Sequence, residues 1–192
     1  YSVGFNYSPN FIDGLRVGAS YYYVEYTNLI YKATNTDVIT NPAFEQYRII
    51  HPTDAQIADY LRRYPAQQPV TTGYDVIFNS NAINIGARRF AGVDFDAAYN
   101  LRTDSMGVFN ATVIANRQTK YDQQVSNGQP FGSQLGTQLA PKWKVNSRLT
   151  WNLDPFTVSL AANYTDKFRN LGTTPNQVVK SWTTYDLTAQ YK

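Results

Sequence analysis

Residues 143–164 read WKVNSRLTWNLDPFTVSLAANY. Trp143, Val145, Ser147, Leu149 and Trp151 alternate with Lys144, Asn146, Arg148 and Thr150. Successive side chains of a strand point to opposite faces, so this period of two predicts one apolar and one polar face. Past the turn residues Asn152–Pro155, Phe156, Val158, Leu160, Ala162 and Tyr164 alternate in the same way with Thr157, Ser159, Ala161 and Asn163. Trp143 and Trp151 share a face, and at about 3.3 Å per residue they lie about 26 Å apart along the strand. A tilt of roughly 40° reduces this to about 20 Å of height, near the apolar band of an outer-membrane barrel with its two aromatic girdles. The spacing puts Trp151 opposite Phe156 and Trp143 level with Tyr164. A dry soluble core wants its bulk at the centre of a strand, whereas here rings sit at the ends with small and medium residues between them. That order suits Trp and Tyr at a membrane boundary.

Five more segments carry the same alternation. Tyr1, Val3, Phe5 and Tyr7 oppose Ser2, Gly4, Asn6 and Ser8, and Leu15, Val17, Ala19, Tyr21 and Tyr23 oppose Arg16, Gly18, Ser20 and Tyr22. Val93, Phe95, Ala97 and Tyr99 oppose Asp94, Asp96, Ala98 and Asn100. Phe109, Ala111, Val113 and Ala115 oppose Asn110, Thr112, Ile114 and Asn116. Finally Tyr185, Leu187, Ala189 and Tyr191 oppose Asp186, Thr188, Gln190 and Lys192, with Tyr185 and Tyr191 bracketing the apolar face. The expected fold is all-β, an antiparallel meander of about seven strands at about 1–8, 15–30, 81–101, 107–123, 141–152, 156–168 and 181–192. Residues 1–192 then form one partial barrel domain.

Composition agrees with a chain that is oily on one side and wet on the other. Of 192 residues 15% are aromatic and only 16% charged, while mean hydropathy is negative. No run of apolar residues is long enough for a transmembrane helix, which says nothing against a membrane, because barrel strands give a far weaker hydropathy signal. There is no cysteine, so disulfides and thiolate metal sites are excluded. The 17 basic residues are scattered through the chain, unlike the clustered footprint of a nucleic-acid binder. The chain opens and closes in mid-strand, and an odd number of strands leaves two edges unpaired in lipid, so a fragment of a larger barrel is expected.

Connections alternate between short and long. Turns at Pro9–Gly14, Arg102–Met106 and Asn152–Pro155 contrast with loops at about 31–80, 122–140 and 166–181, as in barrels with short periplasmic turns and long extracellular loops. The longest loop holds one expected helix. Thr53 is its N-cap, Gln56 completes a capping box, and Pro52 and Ile57 occupy the staple positions. Ile57, Tyr60, Leu61 and Tyr64 make an apolar face expected to rest on the barrel rim or a neighbouring loop; Arg62 and Arg63 favour the C-terminal dipole, and Pro65 stops the helix.

No catalytic constellation, phosphate loop or metal motif is visible, so no catalytic residue, metal ligand or cofactor is expected. Asp94 and Asp96 share a face, which reads as wall carboxylates facing lumen water, a plug, or Arg148 and Lys144 nearby rather than as a glycosidase pair. His51 stands alone without other metal ligands. The recognition-capable residues lie in loops, which carry function on rigid walls: Tyr47, Arg48, His51, Arg62 and Arg63, with Gln123, Gln124 and Gln129 in the next loop.

These stretches also resemble a known family. "YSVGFNYSPNFIDGLRVGASYYYVEYTNLI" at Tyr1–Ile30, "FAGVDFDAAYNL" at Phe90–Leu101, "APKWKVNSRLTW" at Ala140–Trp151 and "SWTTYDLTAQYK" at Ser181–Lys192 resemble, in order, the late barrel strands of TonB-dependent outer-membrane receptors. "HPTDAQIADYL" looks like a helix from their large loops. The resemblance implies a barrel of roughly 22 strands, closed by an N-terminal plug, that imports a siderophore, vitamin or oligosaccharide with energy from the TonB complex. Implied partners are outer-membrane lipid, the plug, TonB and the ligand, with no nucleic acid; the implied place is the bacterial outer membrane. The alternatives are a passive porin and, third, a secreted all-β binding module.

Overall fold

The computed structural model describes residues 1–31, 39, 42–66, 73–78, 83–84, 86–125 and 128–192. Seven long strands form a meander: β1 (Ser2–Tyr7), β2 (Leu15–Thr27), β3 (Ala87–Thr103), β4 (Gly107–Gln124), β5 (Trp143–Leu153), β6 (Phe156–Thr165) and β7 (Trp182–Tyr191). Each pairs with its sequence neighbours, and a short strand, Gly132–Ser133, joins the end of β4. Among the described residues the sheet is open, with β1 and β7 at its edges. The chain divides into two compact units, the sheet with residues 131–142 and 166–181, and a loop unit of residues 27–87 and 124–130.

Residues directly opposite in an antiparallel ladder share a face. Reading across β4, β5, β6 and β7, one row is Ala111, Leu149, Leu160 and Leu187, and the next is Phe109, Trp151, Val158 and Ala189. Shifted by one residue, the rows become Thr112, Arg148, Ala161 and Asp186, then Asn110, Thr150, Ser159 and Thr188. At the other edge Val3, Phe5 and Tyr7 lie opposite Tyr21, Ala19 and Val17. The alternation seen in each strand is thus assembled into two continuous surfaces.

The reversal at Asp154–Pro155 is tighter than the spacing predicts. Leu153 is opposite Phe156, Trp151 opposite Val158, and Val145 opposite Tyr164. Trp151 therefore does not face Phe156, and Trp143 lies one row beyond Tyr164, because the turn consumes two residues instead of four. The offset is even, so every ring keeps its face.

The apolar surface has no second layer over it among the described residues. Leu187 is 73% exposed, Phe5 62% and Leu149 47%. The buried hydrophobic residues of the sheet unit are all alanines, namely Ala91, Ala115, Ala140 and Ala161. A water-soluble sandwich buries the large residues of its inner face; this sheet displays them.

The polar surface is closed by hydrogen bonds between strands. Asn146 donates to Asn163 at 2.6 Å, Asn163 to Asp186 at 3.2 Å, and Thr150 and Ser159 hydroxyls lie 3.0 Å apart. On the other side Asn116 donates to Asp94 at 2.7 Å and to the Tyr22 phenol at 3.2 Å. That phenol lies across β3 where the chain has no side chain. A Cβ at Gly92 would stand 2.7 Å from Tyr22 Cζ and 2.8 Å from the Arg117 carbonyl oxygen.

The loops contain short ribbons of their own. Ile30–Tyr31 pairs with Ile83–Asn84, Arg48–Ile50 with Val76–Phe78, and Phe168–Asn170 with Gln177–Val179. A 3-10 turn, Pro42–Tyr47, carries Phe44, which is fully buried. The helix α1 spans Asp54–Arg63 and begins with the complete capping box of Thr53 and Gln56. Within the sheet unit two loops are tied together: Gln138 donates its backbone N–H to the Arg169 carbonyl at 3.1 Å, and Arg169 donates to Gly136 at 2.9 Å.

Two outcomes follow from this packing. Gly92→Val should displace the Tyr22 phenol and destabilise the barrel by about 1–3 kcal/mol, the usual cost of overpacking, measured by denaturant unfolding in bilayers; an unchanged midpoint would show that the phenol is not seated there. Thr53→Ala should cost α1 about 1 kcal/mol, seen as faster amide exchange over residues 54–63 with the sheet unaffected.

Candidate functional site

Three groups of side chains are available for function: the polar wall, the rings on the apolar face, and the loop residues. On the wall, Asp96 faces Arg16 at 4.0 Å, and Asp94 takes the Asn116 carboxamide. Neither pairs with Arg148 or Lys144, as the sequence suggested. Those cations are on β5, two strands away from β3, or about 10 Å at a spacing of about 4.8 Å per strand. Asn6, Arg16, Asp96, Ala98, Thr112 and Ile114 line a shallow notch of about 360 Å³. Ile114 is 61% exposed on this otherwise polar wall.

The rings form two levels on the apolar face. Near the short turns, the Trp151 indole N–H donates to the Met106 carbonyl at 2.7 Å, and Phe156 lies 5.4 Å from Tyr191 between ring centroids. Towards the long loops, Trp143 stacks on Phe95 at 6.2 Å and carries the Arg117 guanidinium 5.3 Å above its ring. The Tyr164 hydroxyl donates to Asp166 at 3.3 Å, and Tyr185 stands exposed one row nearer the centre of the strand. The polar atoms of Trp151 and Tyr164 thus reach a partner at the strand end.

The loop residues singled out from the sequence are placed differently from one another. Tyr47 ends the 3-10 turn with its ring 6.3 Å from Phe44, and Arg48 donates to the Ile39 carbonyl. His51 has a positive φ of 49° and donates its backbone N–H to Asp75 at 2.8 Å. Arg62 and Arg63 both turn to Asp59, at 2.6 and 2.7 Å. Gln129 contributes its carbonyl, which accepts from the Gln124 side chain at 2.6 Å, while Gln123 is absorbed into a ladder with Gly132. Both α1 guanidiniums therefore already hold a carboxylate. Among the described residues no three His, Asp or Glu side chains converge as a metal site would require.

Sequence reasoning missed the Tyr22–Asn116–Asp94 group and a cavity beside α1. Gly92, a glycine in the interior of β3, was the available signal for the first. The cavity is lined by Ile57, Tyr60 and Leu61 of α1 with its C-cap Tyr64, and by Val76, Ile77 and Phe78 of the facing ribbon with Tyr74 before it. Its second wall is only three residues of strand, too short for alternation to register.

Known proteins resemble this arrangement. The FrpB iron transporter from Neisseria meningitidis matches with a TM-score of 0.56 at 15% identity, over 100% of this chain and 24% of that one. A mutant of the ferric enterobactin receptor PfeA from Pseudomonas aeruginosa matches with a TM-score of 0.55 at 13% identity, over 100% of this chain and 23% of that one. The chain thus spans about a quarter of the length of these barrels. No curated protein matches the sequence. The family model described as "TonB dependent receptor-like, beta-barrel" matches residues 1–192. With an open antiparallel meander whose two faces are oily and wet, the chain belongs to the TonB-dependent receptor β-barrel family.

Proposed function

We propose that this chain is a section of the wall of a nutrient-import receptor in the outer membrane of a Gram-negative bacterium. Its family is one of outer-membrane receptors and transporters, not of enzymes. The observation that carries the reading is the uncovered apolar surface, with Leu149, Leu160 and Leu187 in one row, backed by a continuous polar surface on the same strands. Hydrocarbon on one side and lumen water on the other is the environment in which both surfaces are stable. Trp143, Trp151, Phe156, Tyr164, Tyr185 and Tyr191 then mark the two lipid boundaries.

In this reading the plug packs against the polar wall, and TonB supplies energy through a part of the receptor outside this chain. A siderophore, vitamin or oligosaccharide is captured by the long loops, where Tyr47, Arg48, His51 and Gln129 are the candidate contacts. Arg62 and Arg63 contribute only if a ligand displaces Asp59.

Leu187→Arg in the full-length receptor should destabilise the barrel by about 2–4 kcal/mol in bilayers, while Thr188→Arg, one residue on and facing the lumen, should be tolerated. Equal effects at the two sites would remove the lipid-facing assignment. Uptake by cells should fall when the proton-motive force is collapsed; uptake that is indifferent to an uncoupler would make the barrel a passive porin.

A further inference from the structure

The cavity beside α1 has a chemistry of its own. Its volume is about 340 Å³, within the range of small-molecule sites of roughly 300–1,000 Å³. None of its described lining residues is charged, although α1 carries Asp54 in its first turn and Asp59, Arg62 and Arg63 further on. At 100° per residue Asp59, Arg62 and Arg63 fall on the side of the helix opposite Ile57, Tyr60, Leu61 and Tyr64, and there Asp59 holds both guanidiniums. A charged group entering the cavity would give up part of its hydration to apolar walls that supply no counter-ion among their described residues. What fits is uncharged.

The walls also specify shape. Tyr60 and Tyr64 have ring centroids 5.0 Å apart and planes tilted by 42°, and Tyr74 and Phe78 stand in the facing wall. Such walls offer flat apolar faces to a ring, and a tyrosine phenol is able to hydrogen-bond a hydroxyl group. Both walls are held in place beforehand. The capping box fixes the start of α1, and Arg48, Ile49 and Ile50 pair in register with Phe78, Ile77 and Val76. The space takes one ring and its substituents, far less than the roughly 20–30 residues a side of a protein interface.

We propose that this cavity binds an uncharged aromatic ring of a small water-soluble molecule that carries hydroxyl groups beside that ring. The inference names the chemistry of part of the cargo, and so rests on the import reading for the purpose of the site but not for its existence.

The test uses the full-length receptor in lipid nanodiscs, with phenyl glucoside as the probe and ligand-observed NMR as the readout. Phenyl glucoside should bind, and 4-carboxyphenyl glucoside and methyl glucoside should each bind at least about tenfold more weakly, equivalent to about 1.4 kcal/mol. Ala66 also lines the cavity, so Ala66→Trp should fill it and abolish the phenyl signal while amide protection of α1 is retained. Equal binding of either comparator, indifference to Ala66→Trp, or no phenyl glucoside binding by a receptor with α1 protected would overturn the proposal. Accumulation of the probe by cells with and without an uncoupler separates the two readings. Binding that disappears in Ala66→Trp, together with uncoupler-insensitive accumulation, upholds the cavity and removes energised import. Uncoupler-sensitive accumulation without binding in the cavity does the reverse.

Discussion

The parity of the antiparallel ladder is the constraint on which the molecule depends. Because side chains alternate strictly, every pairing offset must be even if apolar residues are to stay on one surface. The rows from Phe109 through Trp151 and Val158 to Ala189, and from Ala111 to Leu187, satisfy this across four strands. One odd slip at the Asp154–Pro155 turn would bring Thr157, Ser159 and Asn163 into line with Trp151, Leu149 and Val145. The sheet would then have neither an oily face nor a wet one.

Once parity is kept, the two faces meet their needs in different ways. The apolar face leaves its large residues uncovered and buries only Ala91 and Ala115, so its driving force has to come from the hydrocarbon around it. The polar face satisfies itself, through Asn146, Asn163 and Asp186 on one side and Tyr22, Asn116 and Asp94 on the other. Bonds of this kind tie neighbouring strands together where water competes for every donor. The missing side chain at Gly92 lets a phenol cross from β2 to reach a carboxamide on β4.

The loop unit follows a soluble logic. Phe44 is fully buried there, α1 is capped, and Asp59 holds Arg62 and Arg63 on the side away from the cavity. The recognition surface of the long loop is consequently less cationic than a count of its arginines suggests.

Alternation alone determined the strands, the division into two faces and the grouping of short and long connections, because a period of two is a local property of the chain. The helix was legible for the same reason: Thr53, Gln56 and Pro65 act within a few residues of themselves. The turn at Asp154–Pro155 escaped, since a two-residue and a four-residue reversal differ by an even offset that leaves the alternation unchanged. Tertiary structure decided which residues meet. Asp96 found Arg16 and Asp94 found Asn116 because strand order, not sequence distance, brings β2 and β4 beside β3. The cavity of Tyr60, Tyr64, Tyr74 and Phe78 is likewise a product of the fold, for it joins a helix to a three-residue strand across a stretch of chain that carries no periodic signal.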